Sequence, residues 1–458
     1  MRDILSYAET NRSRFLSELS EFVAIPSIST DEEHRPDMMH AAKWLQNHLS
    51  AMGLAARIMD TGGHPAVVGE WSDAPGKPTL LLYGHYDVQP ADPLDLWTSP
   101  PFTLTERDGA LYARGISDDK GQLFIHLKAM ECFLSTKRAL PVNVTVLLEG
   151  EEEIGSPSLP EFLKKHASTF RSDIAVISDN PMLGRGMPAV GYGLRGLAYL
   201  EVILRGPAGD LHSGRFGGAV ANPANVLCSL LTSLKDPGGK ITIPGFYDRV
   251  RPMTDEERQA AKHLPLTETD LARAAGVTQL VPEEGYSAIE SIWSRPSLDI
   301  HGLTSGFQGK GAKTIIPSEA RAKISSRLVP DQTPEEILEK IETCLRQRCP
   351  SGVSMEIIRH EGAYPAMVDR DAPALQMARD AVSKGFGKPC HLIRQGGTIP
   401  VVSLLKQILE LNTLLLGFGL PEENAHAPNE FLLLENFEGG LNSILHLYDL
   451  LGSSSEIL

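Results

Sequence analysis

The sequence predicts an α/β protein in two parts: a mixed sheet flanked by helices, and a smaller α+β unit of the split βαβ, ferredoxin-like kind inserted into it. Three observations predict this. Strand-like and helix-like apolar patterns alternate from Phe15 to Ser178. A β-α-β-β-α-β order follows between Ala198 and Ile358. The first kind of segment then returns after Ala366. The expected boundaries are 1–188 with 365–458 for the outer part and 189–364 for the insert.

Taken in order, Phe15, Leu16, Leu19, Phe22 and Val23 recur at helical spacing and stop before Pro26, which gives an amphipathic helix. His40 to Met52 reads as a second helix ended by Gly53. Leu80 to Tyr83 is a buried strand broken by Gly84. Leu123, Phe124, Leu127, Met130 and Leu134 mark one face of a helix, and Val142 to Leu148 and Ile174 to Ser178 are further strands. Within the insert, Ala198 to Arg205 is a strand, and Asn222 caps a helix that Pro223 begins. Leu298 to His301 and Glu319 to Val329 are strands, Thr333-Pro-Glu-Glu336 is a capping box opening a helix, and Met355 to Ile358 closes the unit. The connection 236–297 is rich in Pro and charge and carries no assignment. Asn412 to Leu416 is a strand, a loop runs to Glu430, and Phe437 to Leu451 is the closing helix.

With 458 residues the chain can bury substantial cores, and 43 Lys plus Arg against 58 Asp plus Glu give a net charge of −15. That balance disfavours nucleic acid and anionic membranes as partners. Five scattered cysteines, Cys132, Cys228, Cys344, Cys349 and Cys390, include no Cys-x-x-Cys pair. Together with an N-terminus lacking an apolar signal region and the absence of any membrane-length apolar run, they point to a cytoplasmic protein.

Polar residues gather where strands end and helices begin. His85-x-Asp87 leaves the strand at Tyr83, and a His with a nearby carboxylate suits a metal, because neutral imidazole ligates through one nitrogen while the other needs a fixed partner. Three acidic clusters accompany it: Ala113-Arg-Gly-Ile-Ser-Asp-Asp-Lys-Gly121 ahead of a helix, Glu149-Gly-Glu-Glu-Glu-Ile-Gly-Ser156 after a strand, and Ser178-Asp-Asn180 after another. A run of Glu is usually a solvated face; here each run sits at the edge where His85 sits.

The segments Gly-His-Tyr-Asp-Val-Gln-Pro, Arg-Gly-Ile-Ser-Asp-Asp-Lys-Gly, Glu-Gly-Glu-Glu-Glu-Ile-Gly-Ser, Ser-Asp-Asn, Tyr-Gly-Leu-Arg-Gly, Asp-Leu-His-Ser-Gly and Ala-His-x-x-Asn-Glu occur in this order along the chain. In that combination the sequence resembles the M20 family of metallopeptidases, most of all its carnosinase-like dipeptidase branch. The resemblance implies a catalytic domain and a lid and dimerisation domain, with two divalent ions per subunit, zinc foremost and manganese as the alternative. It implies that His85 and Asp179 hold one ion and Glu153 and His426 the other. Asp118 would bridge them, and the Asp118–Asp119 peptide would be cis. Glu152 matches the general base acting on a metal-bridging water, and Asp87 the group orienting His85. Glu149 and Glu151 read as structural or solvated.

From the insert, the resemblance implies that His212 stabilises the developing oxyanion in the partner subunit of a homodimer. Arg327 would clamp the substrate's free carboxylate, with Thr314 and Thr398 as lesser candidates for the same pocket. The expected activity is hydrolysis of dipeptides or short peptides with a free C-terminal carboxylate; the alternatives are deacylation of N-acyl amino acids, or a non-catalytic binding relative.

Overall fold

A computed structural model describes residues 1–454. Its residues divide into two compact units: Met1–Tyr192 with Val368–Ile393 and Pro400–Leu458, and Gly193–Met367 with Arg394–Ile399.

The first unit is organised by a mixed sheet with strand order Ala55–Met59, Ala66–Trp71, Asn143–Glu149, Thr79–His85, Ile174–Ser178, Thr413–Leu416 and Ala189–Leu194. The four strands in the middle are parallel, and antiparallel pairs flank them on both sides. Parallel strands covered by helices on both faces read as unbroken apolar runs, as Leu80–Tyr83 and Ile174–Ile177 do. The helix Lys120–Lys137 was expected to present one apolar face. Instead it is buried on nearly every side, from Lys120 through Ala129, because the helices Arg2–Thr10, Arg12–Val23 and Leu434–Ser453 surround it. The second helix begins at Arg35 rather than His40, since Pro36 suits its first turn and Met38 is already core. It ends before Gly53, whose φ of 96° only glycine adopts readily. The strands Ala55–Met59 and Ala66–Trp71 and the helices Pro373–Phe386 and Pro400–Leu409 carried no assignment from the sequence.

The second unit has a four-stranded antiparallel sheet in the order Ser297–Ser305, Glu319–Leu328, Gly196–Arg205, Ser354–Arg359. The helices Pro223–Thr232 and Pro334–Arg348 pack on it around Leu200, Val202, Leu230, Ile324, Ile341 and Leu345, which is the split βαβ arrangement. Asn222 Oδ1 accepts the Ala224 amide at 2.9 Å, so it caps as expected. The box at Thr333 is only half formed: Thr333 accepts the Glu336 amide at 3.3 Å, while the Glu336 carboxylate turns to Lys340 at 2.7 Å. The unassigned connection contains three short helices, Asp255–Lys262, Glu268–Ala274 and Ala288–Trp293, each opened by a full capping box, at Thr254, Thr267 and Ser287. Among the described residues all five cysteines are free, and no helix is long and apolar enough to cross a membrane.

Candidate metal centre

The carboxyl ends of the four parallel strands deliver most of the polar side chains to one edge of the first unit's sheet. His85 ends Thr79–His85 and is fully buried. Its Nδ1 lies 3.1 Å from the Asp87 carbonyl and 3.4 Å from Asp87 Oδ1, which turns Nε2 towards Asp118 Oδ1 at 3.0 Å. The Asp87 carboxylate also accepts the backbone amides of Glu152 at 3.2 Å and Glu153 at 3.0 Å. Glu152 and Glu153 lie on a single 3-10 turn, Glu152–Ile154, just beyond Asn143–Glu149. On a strand these two neighbours would face opposite ways; on a turn both can serve one site.

Asp118 precedes the helix Lys120–Lys137, and its peptide bond to Asp119 is cis. Gly121 lets the turn fold back, since a Cβ there would lie 2.0 Å from the Ile116 carbonyl oxygen. Asp179 follows Ile174–Ser178 directly. His426 lies in the loop after Thr413–Leu416. That loop leaves the sheet against Asn180 because Gly417 has no side chain: a Cβ would meet the Asn180 carbonyl oxygen at 2.0 Å. His426 Nε2 stands 2.8 Å from Asp118 Oδ2 and 3.1 Å from Glu153 Oε2.

Two triads result, each able to hold a cation: His85, Asp118 and Asp179, and Asp118, Glu153 and His426, with one donor atom per residue and all donors within 4.8 Å of one another. Asp118 belongs to both, one oxygen facing His85 and the other His426. The electrostatics are those of a site short of positive charge. Burial lowers the His85 pKa, but bonds to Asp118 and Asp87 outweigh it and hold it well above the usual value. Asp118 and then Glu153 raise His426 to about 10. Asp118 is pushed up by burial but held well below the usual range by its two imidazoles. Burial, with Asp118 adding to it, pushes Asp119 and Asp179 well up. Burial first, opposed by His85 and reinforced by Asp118 and Glu153, raises Glu152 to about 7. Protons thus make up positive charge that divalent cations would supply, and the imidazole and carboxylate donors suit zinc or manganese.

Glu149 and Glu151 are both buried and serve the scaffold. Glu149 accepts from Tyr83 and Ser156, and Glu151 accepts the amides of His64 at 2.8 Å and Ser158 at 3.0 Å. A third grouping, Glu18, His48 and Glu131, has the reach to hold a cation but already surrounds an ammonium. Lys128 Nζ bonds Glu131 at 2.7 Å, His48 Nε2 at 2.8 Å and Glu18.

The remaining sequence candidates belong to the second unit. His212 is exposed, and its Nδ1 accepts the Gly214 amide at 3.0 Å, so the neutral ring carries its proton on Nε2. Its neighbour Ser213 donates to the Thr314 carbonyl at 3.1 Å, which brings those two candidates together. Arg327 donates to Thr398 Oγ1 at 2.8 Å, and Thr398 donates to the Arg195 carbonyl at 2.6 Å. Arg195 carried no expected role although it stands in Tyr192-Gly-Leu-Arg-Gly196. Burial and the Arg327 charge lower its pKa to about 10. Gln89, which donates to Glu153 Oε2 at 2.8 Å, and Glu430, the last residue of Ala-His-x-x-Asn-Glu, were also passed over. Both stand beside expected ligands in motifs already singled out, which was the available signal.

The profile of peptidase family M20/M25/M40 matches residues 81–449. The Cys-Gly metallodipeptidase DUG1 of Candida albicans is 34% identical, covering 98% of this chain and 97% of its own length. The human Beta-Ala-His dipeptidase is 32% identical over 96% of this chain and 90% of its own. Among solved structures, the dipeptidase Dug1p of Saccharomyces cerevisiae superposes with a TM-score of 0.82 at 31% identity, covering 99% of this chain and 98% of that one. Human carnosine dipeptidase 1 follows with 0.77 at 31% identity, covering 99% of this chain and all of that one. The sequence match and the folds agree: this chain belongs to peptidase family M20/M25/M40.

Proposed function

We propose that the protein is a dipeptidase that hydrolyses the single peptide bond of substrates with a free C-terminal carboxylate. The observation that carries this is the double engagement of Asp118, whose two oxygens lie 3.0 Å from His85 and 2.8 Å from His426. A carboxylate so placed is the natural bridge between two cations. His85 and Asp179 would hold one ion and Glu153 and His426 the other, zinc before manganese. The ions would supply Lewis acidity, polarising the scissile carbonyl and acidifying the attacking water.

In this reading the chain's own residues do the rest. Glu152, with its proton affinity raised towards neutrality, takes the water's proton and hands it to the leaving amine. Asp87 fixes His85 and the turn carrying Glu152. Arg327, steadied by Thr398, holds the substrate carboxylate with its planar fork, Arg195 adds a second positive charge, and Thr314 belongs to the same pocket. His212 donates through Nε2 to the developing oxyanion in the partner subunit of a homodimer. The first unit serves as the catalytic domain and the second as the lid and dimerisation domain of a cytoplasmic enzyme. That the relatives above are named as dipeptidases supports dipeptides rather than N-acyl amino acids as the substrates of this chain.

The test is hydrolysis of matched dipeptides and N-acyl amino acids by zinc- or manganese-reconstituted protein, beside a chelated control. Chelator-sensitive turnover of dipeptides is expected. Preference for the acylated series would overturn the dipeptidase reading, and turnover unaffected by chelation would overturn the metal chemistry.

A further inference from the structure

A buried carboxylate that belongs to neither triad holds the turn on which Asp118 sits. Glu430 is fully buried, and its two oxygens take four donors. Oε1 accepts the backbone amides of Ser117 at 2.9 Å and Asp118 at 3.1 Å; Oε2 accepts the amide of Gly115 at 2.8 Å and Arg114 Nη1 at 2.7 Å. The neighbouring amides go elsewhere, Arg114 to the Pro101 carbonyl and Ile116 to that of Ala113, so Gly115, Ser117 and Asp118 depend on Glu430. Arg114 in turn donates to the Pro90 carbonyl at 3.2 Å and lies over Trp97, tying in the stretch that follows His85 and Asp87. The register that brings Glu430 here comes from Phe431–Leu433 pairing with Ala110–Tyr112, Phe431 opposite Tyr112.

We infer that Glu430 is the positioning residue that presets the distance between Asp118 and His426, and so the spacing of the two cations, before any ion binds. His426 lies four residues before Glu430 on the same loop, so the carboxylate that grips the Asp118 turn also anchors the segment bearing the facing imidazole. A second clip, Ser117 to Glu423, joins the same two segments. Three backbone amides converging on one carboxyl group, with a guanidinium as its fourth donor, are what a turn carrying a shared ligand needs. The arrangement fixes the backbone without using an atom that could ligate. The inference rests on the reading of Asp118 and His426 as metal ligands.

The first test uses the wild-type protein stripped of metal. In hydrogen exchange, Gly115, Ser117 and Asp118 should be protected without metal. In Glu430→Gln, where the side-chain amide turns a donor towards one of these N–H groups, they should lose protection while the helix Lys120–Lys137 keeps its own. A turn that exchanges freely in the metal-free wild type until cations are added would overturn the inference.

The second test measures cation affinity by chelator competition. Glu430→Gln should weaken it by about 10–100-fold, the usual cost of losing a partner that orients ligands. Arg114→Met, which leaves the three backbone bonds in place, should weaken it less than about 3-fold by the same standard. Since Glu430→Gln leaves Arg114 buried without a counter-charge, the pair Arg114→Met with Glu430→Gln separates folding from positioning. It should recover the melting temperature without recovering the affinity. Wild-type affinity in the pair, or equal losses in the two single variants, would refute the assignment. A wild-type protein that binds no cation would instead sink the proposed function while leaving the exchange result intact.

Discussion

Glu149 offers a test of the scaffold beneath the centre. Its carboxyl is buried, accepts from Tyr83 and Ser156, and is raised from 4.5 to about 8 by burial first, opposed by those hydrogen bonds and reinforced by the Asp87 charge. Glu149→Gln keeps the shape and the accepting oxygen and removes the ionisation. At 1.36 kcal/mol per pH unit, a carboxyl lifted that far is worth about 5 kcal/mol between its two protonation states; water entry and relaxation reduce this to ~2–4 kcal/mol. Below pH 4.5 the group holds its proton in folded and unfolded chains alike, and the substitution should be nearly neutral. Between 4.5 and 8 the unfolded chain ionises first, and the wild type loses stability that the variant keeps. Above 8 the full difference should remain. Thermal unfolding in chelator, to remove any charge contributed by cations, should therefore show similar melting at pH 5 and a variant roughly 2–7 °C more stable at pH 9. A difference that does not change with pH, or a variant less stable at both, would refute the reasoning.

Three further outcomes follow from the site. Glu152→Gln should lower kcat by about 10²–10⁴-fold while both cations still bind by metal analysis, because the proposed mechanism uses the residue as a base and not as a ligand. Arg327→Lys replaces a fork with a point charge and should raise KM about 10-fold or more for free-carboxylate dipeptides with kcat little changed; C-terminally amidated dipeptides, measured alongside, should be indifferent to it. Removing metal should lower the melting temperature, since each ion present at 100 times its dissociation constant contributes ~2.7 kcal/mol; equal melting with and without chelator would count against tight binding.

The gathering of polar clusters at strand ends could be read from local patterns, while the choice of His85, Asp118, Glu153, Asp179 and His426 among them rested on the family resemblance. His85, Glu153 and Asp179 each stand just past an apolar run, and the end of a parallel strand is where an open sheet presents polar side chains. The four-stranded unit was legible for a similar reason: alternating strands and capped helices such as the one Asn222 opens are local signals. What escaped was set by contacts far apart in the chain. Glu430 looks like any acid in a polar loop until Phe431 pairs with Tyr112, and Arg195 looks like a surface Arg until the Thr398 segment reaches its carbonyl. Lys128, fully buried, would never be placed inside from composition; Glu18 and Glu131 make that possible from two different helices.

The strand order has a consequence for biosynthesis. Thr413–Leu416 lies between Ile174–Ser178 and Ala189–Leu194 although it is made long after both, so the sheet stays split until this strand is synthesised. The loop that follows brings His426 and Glu430 together. A ribosome-bound or truncated chain therefore has His85, Asp118, Glu153 and Asp179 but neither the second imidazole nor the anchor for the Asp118 turn. A chain cut before this loop would keep the triad of His85, Asp118 and Asp179 and lack the one that needs His426, so the two candidate cation sites form at different stages of synthesis.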